Sequence, residues 1–151
     1  MIVKKNSTEA FAKREAGGKG YNLYLMTRMG LPVPDWCVLG RRVFLQFMDE
    51  TGTGASIDAV IDRLQASQIN AAEASRQIET LIVAAELSAS VKTLVRQGYD
   101  EVNRGLVSVR SSAADEDGQM HSFAGQLSSY LYVDSLDDVE RYVKLCWASG
   151  L

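Results

Sequence analysis

At 151 residues the chain has the length of one domain and can bury a sizeable core. Its composition is that of an ordinary globular protein, 46% hydrophobic and 23% charged. A net charge of −3 excludes the broad basic footprint of a nucleic-acid binder, so any anion binding must be local.

Residues 1–7 hold no apolar core of signal-peptide length, and no segment is long enough to span a bilayer, which points to a cytoplasmic protein. The sequon Asn6-Ser7-Thr8 then reads as a turn. Residues 2–4 form a short candidate strand, and a polar stretch leads from there to Gly17-Gly18-Lys19-Gly20. Leu23, Met26 and Met29 follow at helical spacing, with Gly30 as the stop. Leu31-Pro32-Val33-Pro34 breaks that helix, and Trp36-Cys37-Val38-Leu39 reads as a buried strand.

From Arg41 to Arg104 the pattern is helical. Phe44, Phe47 and Met48 mark one helix, with Gly52-Thr53-Gly54 punctuating its end. Ile57, Val60, Ile61 and Leu64 stand at i, i+3, i+4 and i+7 of a second. Ala74, Ile78, Leu81 and Ile82 mark a third, and Val91, Leu94, Val95 and Val102 a fourth. At Gly105 the period changes to two. Val107 and Val109 face one way, Ser108 and Arg110 the other, and Tyr130-Leu131-Tyr132-Val133 alternates again as a pairing strand. Ser135 and Asp138 make a capping box that satisfies helix-start amides, and Leu136, Val139, Val143 and Cys146 share the face of a last helix. That helix stops abruptly at 147–151, as in a chain cut from something larger. The predicted class is α+β, one domain over residues 1–151, with a short antiparallel or mixed sheet and a helical stretch between its strands.

Two cationic side chains sit beside flexible backbone. In the glycine cluster, backbone amides at a helix start and the Lys19 ammonium attract phosphate oxygens, although the cluster also reads as a plain solvated turn. It is not a P-loop, because Lys13 and Gly20 occupy positions where that motif needs Gly and Ser/Thr. Arg110, at the end of a buried-type strand, is costly to desolvate without an anion. Its planar fork suits a phosphate or an internal carboxylate, Glu116 or Asp117. Ser111 and Ser112 can donate to a phosphate or merely cap the strand end. Asp115-Glu116-Asp117-Gly118 is not an EF-hand loop, since Ala113 and Ala124 fill its first and last ligand positions. Gly125-Gln126 reads as a hairpin tip or bulge where backbone can approach a ligand. His121, the single histidine, lies in a polar loop with no nucleophile partner. Cys37 and Cys146 lack metal spacing and read as buried reduced thiols.

Three blocks together resemble the N-terminal nucleotide-binding region of the phosphoenolpyruvate synthase / pyruvate phosphate dikinase family, which rifampicin phosphotransferases share. They are Gly17–Leu23 with Gly30–Pro34, Val109–Gln126 with Leu131-Tyr132-Val133, and Cys146-Trp147-Ala148-Ser149. The resemblance implies the first subdomain of an ATP-grasp-type nucleotide-binding domain, truncated before its second. It implies that Lys19 and Arg110 contact ATP phosphates, that Gly125 and Gln126 close over them, and that Ser111 and Ser112 stand nearby. It further implies an enzyme passing the ATP β-phosphoryl group to a carrier histidine on another domain and then to pyruvate. A rifampicin-type antibiotic is the alternative acceptor, and a non-catalytic nucleotide-sensing or interaction module the reading from another class. No catalytic residue and no magnesium ligand is expected within these 151 residues. His121 does not match the carrier motif. Leu127 and Ser128 replace a glutamine and an acidic residue that many relatives carry, a departure bearing on the acceptor.

Overall fold

The computed structural model describes residues 1–102, 105–112 and 128–150, and among these residues seven helices and two antiparallel strand pairs make an α+β arrangement. Strand β1 (Ile2–Val3) pairs with β2 (Val38–Leu39) in the register Ile2↔Leu39 and Val3↔Val38. The sequon is indeed in a turn, closed by Ser7 N–H on the Lys4 carbonyl at 3.0 Å. The polar stretch that follows contains an unexpected helix, α1 (Glu9–Glu15). Phe11 is its one large apolar residue, so no periodicity betrays it. Its signal is at the start, where Thr8 Oγ1 accepts the Phe11 amide and Glu9 complements the helix dipole.

Helix α2 (Gly17–Arg28) begins with no intervening loop, Ala16 serving as the last cap of α1 and the first of α2. The glycine cluster is therefore the first turn of α2 rather than a turn ahead of it. Gly30, at φ +74°, ends the helix as expected. Val3, Ala12, Ala16, Tyr24 and Trp36 form a small core between these pieces. Only Val38 and Leu39 of the expected 36–39 strand pair with a neighbour. Trp36 is buried instead through its ring, and its indole N–H donates to Thr27 Oγ1 at 2.9 Å.

The four helices predicted between the sheets are all present: α3 (Arg41–Thr51), α4 (Thr53–Gln65), α5 (Ala71–Ala84) and α6 (Ala89–Val102). Gly52 at φ +69° separates the first two. Their apolar faces supply the main core, in which Phe47, Ile82, Val91 and Val95 are almost wholly buried. Each such side chain contributes about 1.5–3 kcal/mol relative to exposure. The second sheet pairs β3 (Val107–Arg110) with β4 (Ser129–Val133), and α7 (Leu136–Ala148) packs beneath it. Ser135 caps α7 by accepting the Asp138 amide at 3.2 Å. The Asp138 carboxylate does not reach an amide as the capping-box reading expects; it takes the Ser135 hydroxyl proton at 2.8 Å. Lys144 ties α7 to the end of α5, donating to the carbonyls of Val83 at 2.6 Å and Ala85 at 3.0 Å.

The expected alternation holds in β3 but fails in β4. The register moves from Val109↔Tyr130 to Val107↔Val133, so Leu131 and Tyr132 together oppose Ser108 in a bulge, with Tyr132 at φ +59°. Tyr130 stacks on Tyr142 at 4.2 Å and Val133 is buried, while Leu131 and Tyr132 are 60% and 78% exposed. The outer face of the sheet thus carries Ser108, Arg110, Ser129, Leu131 and Tyr132.

Candidate functional site

The end of β3 meets the start of α2 through Ser112. Its hydroxyl accepts the Gly20 amide at 2.8 Å and donates to the Ala16 carbonyl at 2.7 Å. In α1, α5 and α7 the amide four residues past the cap bonds the cap carbonyl directly, at 2.9, 3.0 and 3.1 Å. In α2 the Ser112 hydroxyl is inserted into that first bond. The approach demands glycine on the other side. A Cβ on Gly17, at φ +67°, would lie 1.9 Å from the Ser112 carbonyl oxygen. One on Gly20 would lie 2.8 Å from Val38 Cγ2. Sequence reasoning took these glycines for flexibility; Gly17 makes room for the arriving Ser112 backbone, and Gly20 for the Val38 and Ala16 side chains. Nothing local in the sequence marks the contact, since its partners lie 92 residues apart.

The third block closes on the same place. Ser128, just before β4, accepts from the Ser111 amide at 3.3 Å and from the Cys146 thiol at 3.6 Å. Its own amide donates to Ser149 Oγ at 3.2 Å. Burial pushes the Cys146 thiol up to about 11, partly countered by the positive charge of nearby Lys19. Desolvation does the same to Cys37, also to about 11; both thiols are free, as expected, but Cys146 is buried and Cys37 only half-buried. The glycine block, the Arg110 strand and the end of α7 therefore converge, although they are far apart in the chain.

Lys19 and Arg110 are both exposed. For Arg110 this corrects the expected desolvation argument: no burial cost compels an anionic partner. Among the described residues its guanidinium makes no ion pair. Ser111 and Ser112 divide sharply. Ser112 has committed its proton to Ala16, whereas the Ser111 hydroxyl is the single buried side-chain polar group without a partner among the described residues. Such an atom is expensive to leave alone and has a donor to offer. Gly125, Gln126, Asp115, Glu116, Asp117, Gly118 and His121 lie outside the described residues. Among the described residues no group of three His, Cys, Asp or Glu side chains could hold a metal ion, and no helix is long and apolar enough to cross a membrane.

Residues 13–151 match the family model described as pyruvate phosphate dikinase, AMP/ATP-binding domain. The chain belongs to that family. Within it, the chain is 33% identical over 89% of its length to a probable phosphoenolpyruvate synthase of Methanothermobacter thermautotrophicus, covering 21% of that protein. It is 37% identical over 88% of its length to a probable phosphoenolpyruvate synthase of Archaeoglobus fulgidus, covering 18% of it. A prodigiosin synthesizing transferase, PigC of Serratia marcescens, is 31% identical over 99% of the chain, which covers 15% of that protein. The chain thus spans about a fifth or less of these curated relatives, and as a dikinase-family AMP/ATP-binding domain it comes from an enzymatic family.

Proposed function

We propose that this domain is the first subdomain of an ATP-grasp-type site and holds the phosphates of ATP for a phosphoenolpyruvate synthase-like dikinase. The observation carrying the reading is the Ser112 bridge, which seats the Lys19 helix start against the end of the Arg110 strand. Lys19 and Arg110 supply opposite charge to the phosphates, helix-start amides of α2 add oriented donors, and the Ser111 hydroxyl has a proton free to give. Ser112 acts as the brace between them. Gly125 and Gln126 are the further phosphate contacts that the family resemblance implies. Magnesium accompanies the nucleotide and shields its charge, its ligands lying beyond this chain. Positioning and charge neutralisation are most of what phosphoryl transfer asks of a protein. The β-phosphoryl group then goes to a carrier histidine on another domain, with AMP as leaving group and the γ-phosphate released to water as inorganic phosphate, and from the histidine on to pyruvate. The 151 residues by themselves bind ATP weakly and turn nothing over.

The relative named for prodigiosin synthesis favours a second reading, in which the acceptor is not pyruvate but another molecule, such as a rifampicin-type antibiotic. The phosphate site is common to both. In protein translated from the complete natural reading frame, Lys19→Ala and Arg110→Ala should each weaken magnesium-ATP binding about tenfold or more, the size of a lost hydrogen bond to a charged group. Titration calorimetry reads this directly. Unchanged affinity in both variants would refute the site.

A further inference from the structure

Helix α3 starts without a cap of its own. Its N-cap residue, Gly40, has no side chain, and a Cβ there would meet the Met1 carbonyl at 2.7 Å and Glu15 Cβ at 3.0 Å. The cap comes from elsewhere in the chain. Glu15 Oε2 accepts the amide of Arg42, the second residue of α3, at 3.3 Å. Glu15 Oε1 accepts from Arg14 Nε at 3.0 Å and forms an ion pair with Arg42 Nε at 3.1 Å. Glu15 is only 4% exposed, while the two arginine side chains are 59% and 58% exposed. One buried carboxylate therefore accepts two hydrogen bonds and pairs with two guanidinium charges, and an amide and one of those charges come from α3.

Glu15 is also the last residue of α1, one residue before the Ala16 junction and four before Lys19. That junction is gripped on two sides: Glu15 fastens it to α3, and Ser112 fastens Ala16 and Gly20 to β3. A buried charge is a poor source of net stability, because desolvation offsets the attraction. It does fix geometry, since one arrangement satisfies both hydrogen bonds and both ion pairs, and a displaced one leaves a buried charge uncompensated.

We propose that Glu15 is a positioning residue for nucleotide binding: it sets the start of α2 so that Lys19 is presented to the phosphates. This rests on the reading of Lys19 as a phosphate contact. The tests are magnesium-ATP titrations of the full-length protein as wild type, E15Q, K19A and E15Q/K19A, with amide exchange at Gly20 as a nucleotide-free readout. The expected result is a roughly tenfold loss of affinity in E15Q, with no further loss when it is added to K19A. Equal losses in both backgrounds would mean that Glu15 acts independently of Lys19 and would overturn the proposal, as would unaltered affinity in folded E15Q. If K19A itself changes nothing, the Lys19 reading fails, and exchange alone decides. Gly20 exchange accelerated well beyond that of the Val91 and Val95 amides keeps Glu15 as the anchor of the helix start; uniform acceleration overturns it. E15D should recover part of the affinity. Should E15Q not fold, R42A, which removes a paired guanidinium charge but leaves the carboxylate and the amide hydrogen bond in place, is read the same way.

Discussion

Three glycines with nearly the same backbone allow conformation and contact to be separated by experiment. Gly17, Gly30 and Gly52 have φ of +67°, +74° and +69°. An alanine at Gly30 or Gly52 would meet nothing within 4 Å, so its cost is the left-handed conformation alone, about 1–2 kcal/mol. An alanine at Gly17 has the same conformational cost and also places its Cβ 1.9 Å from the Ser112 carbonyl oxygen, where real Cβ atoms keep at least 3.0 Å. The obstacle is backbone, so no rotamer change relieves it. Forced overpacking adds about 1–3 kcal/mol. Gly17→Ala should therefore destabilise by roughly 2–5 kcal/mol, a large part of the 5–15 kcal/mol typical of a domain. Urea denaturation of the three variants measures this, and a common slope keeps the midpoints comparable. If the three lose stability equally, within about 0.5 kcal/mol, the close approach of Ser112 is not an energetic feature and the bridge argument falls.

Two further outcomes follow from the buried ionisable groups. Burial alone would raise the Glu15 pKa, but hydrogen bonds from the Arg14 side chain and the Arg42 amide, with both guanidinium charges, bring it below the ordinary 4.5. The folded value is thus the lower one, so this contribution to stability is complete above pH 4.5 and is lost as pH falls through the folded pKa. Denaturation midpoints measured from about pH 3 to pH 8 should show a shallower acid limb in E15Q than in wild type, and parallel limbs would refute the linkage. For the cysteines, both thiols pushed to about 11, Cys146 buried and Cys37 half-buried, should react slowly with iodoacetamide at neutral pH until the protein is unfolded in urea. Rapid stoichiometric alkylation of native protein would contradict that burial.

The helices of the middle of the chain were legible because burial imposes a period on them. Ile57 and Val60, or Ile78 and Ile82, recur at the helical turn because they line one core. Helix α1 was not legible, since this short helix turns only Ala12, Glu15 and part of Phe11 inward, too little apolar surface to show a period, and its start is marked only by Thr8 and Glu9. The bulge at Leu131–Tyr132 escaped because Tyr-Leu-Tyr-Val reads as regular alternation, and an extra residue is visible only against the partner strand. At the site, Lys19, Arg110 and the glycines could be picked out by residue type. What they touch could not. Arg110 looked buried from the valines around it, yet it stands on the open face of the sheet. Glu15 gave no sign in the sequence at all, because a carboxylate beside an arginine is unremarkable until the amide of Arg42 is brought to it.

The Ser112 hydroxyl inside the first turn of α2 also orders events in time. Gly20 and Ala16 cannot complete their link until a residue 92 positions downstream of Gly20 has been made and β3 has formed. At about 5–20 residues per second, a ribosome spends roughly 5–20 s between synthesising the glycine block and supplying its brace. During that interval the helices α3 to α6 can collapse on their own local contacts, while the helix start that carries Lys19 remains unfinished. β3 is itself held by β4 and α7, which are made later still, so the start of α2 is among the last parts of this domain to be fixed.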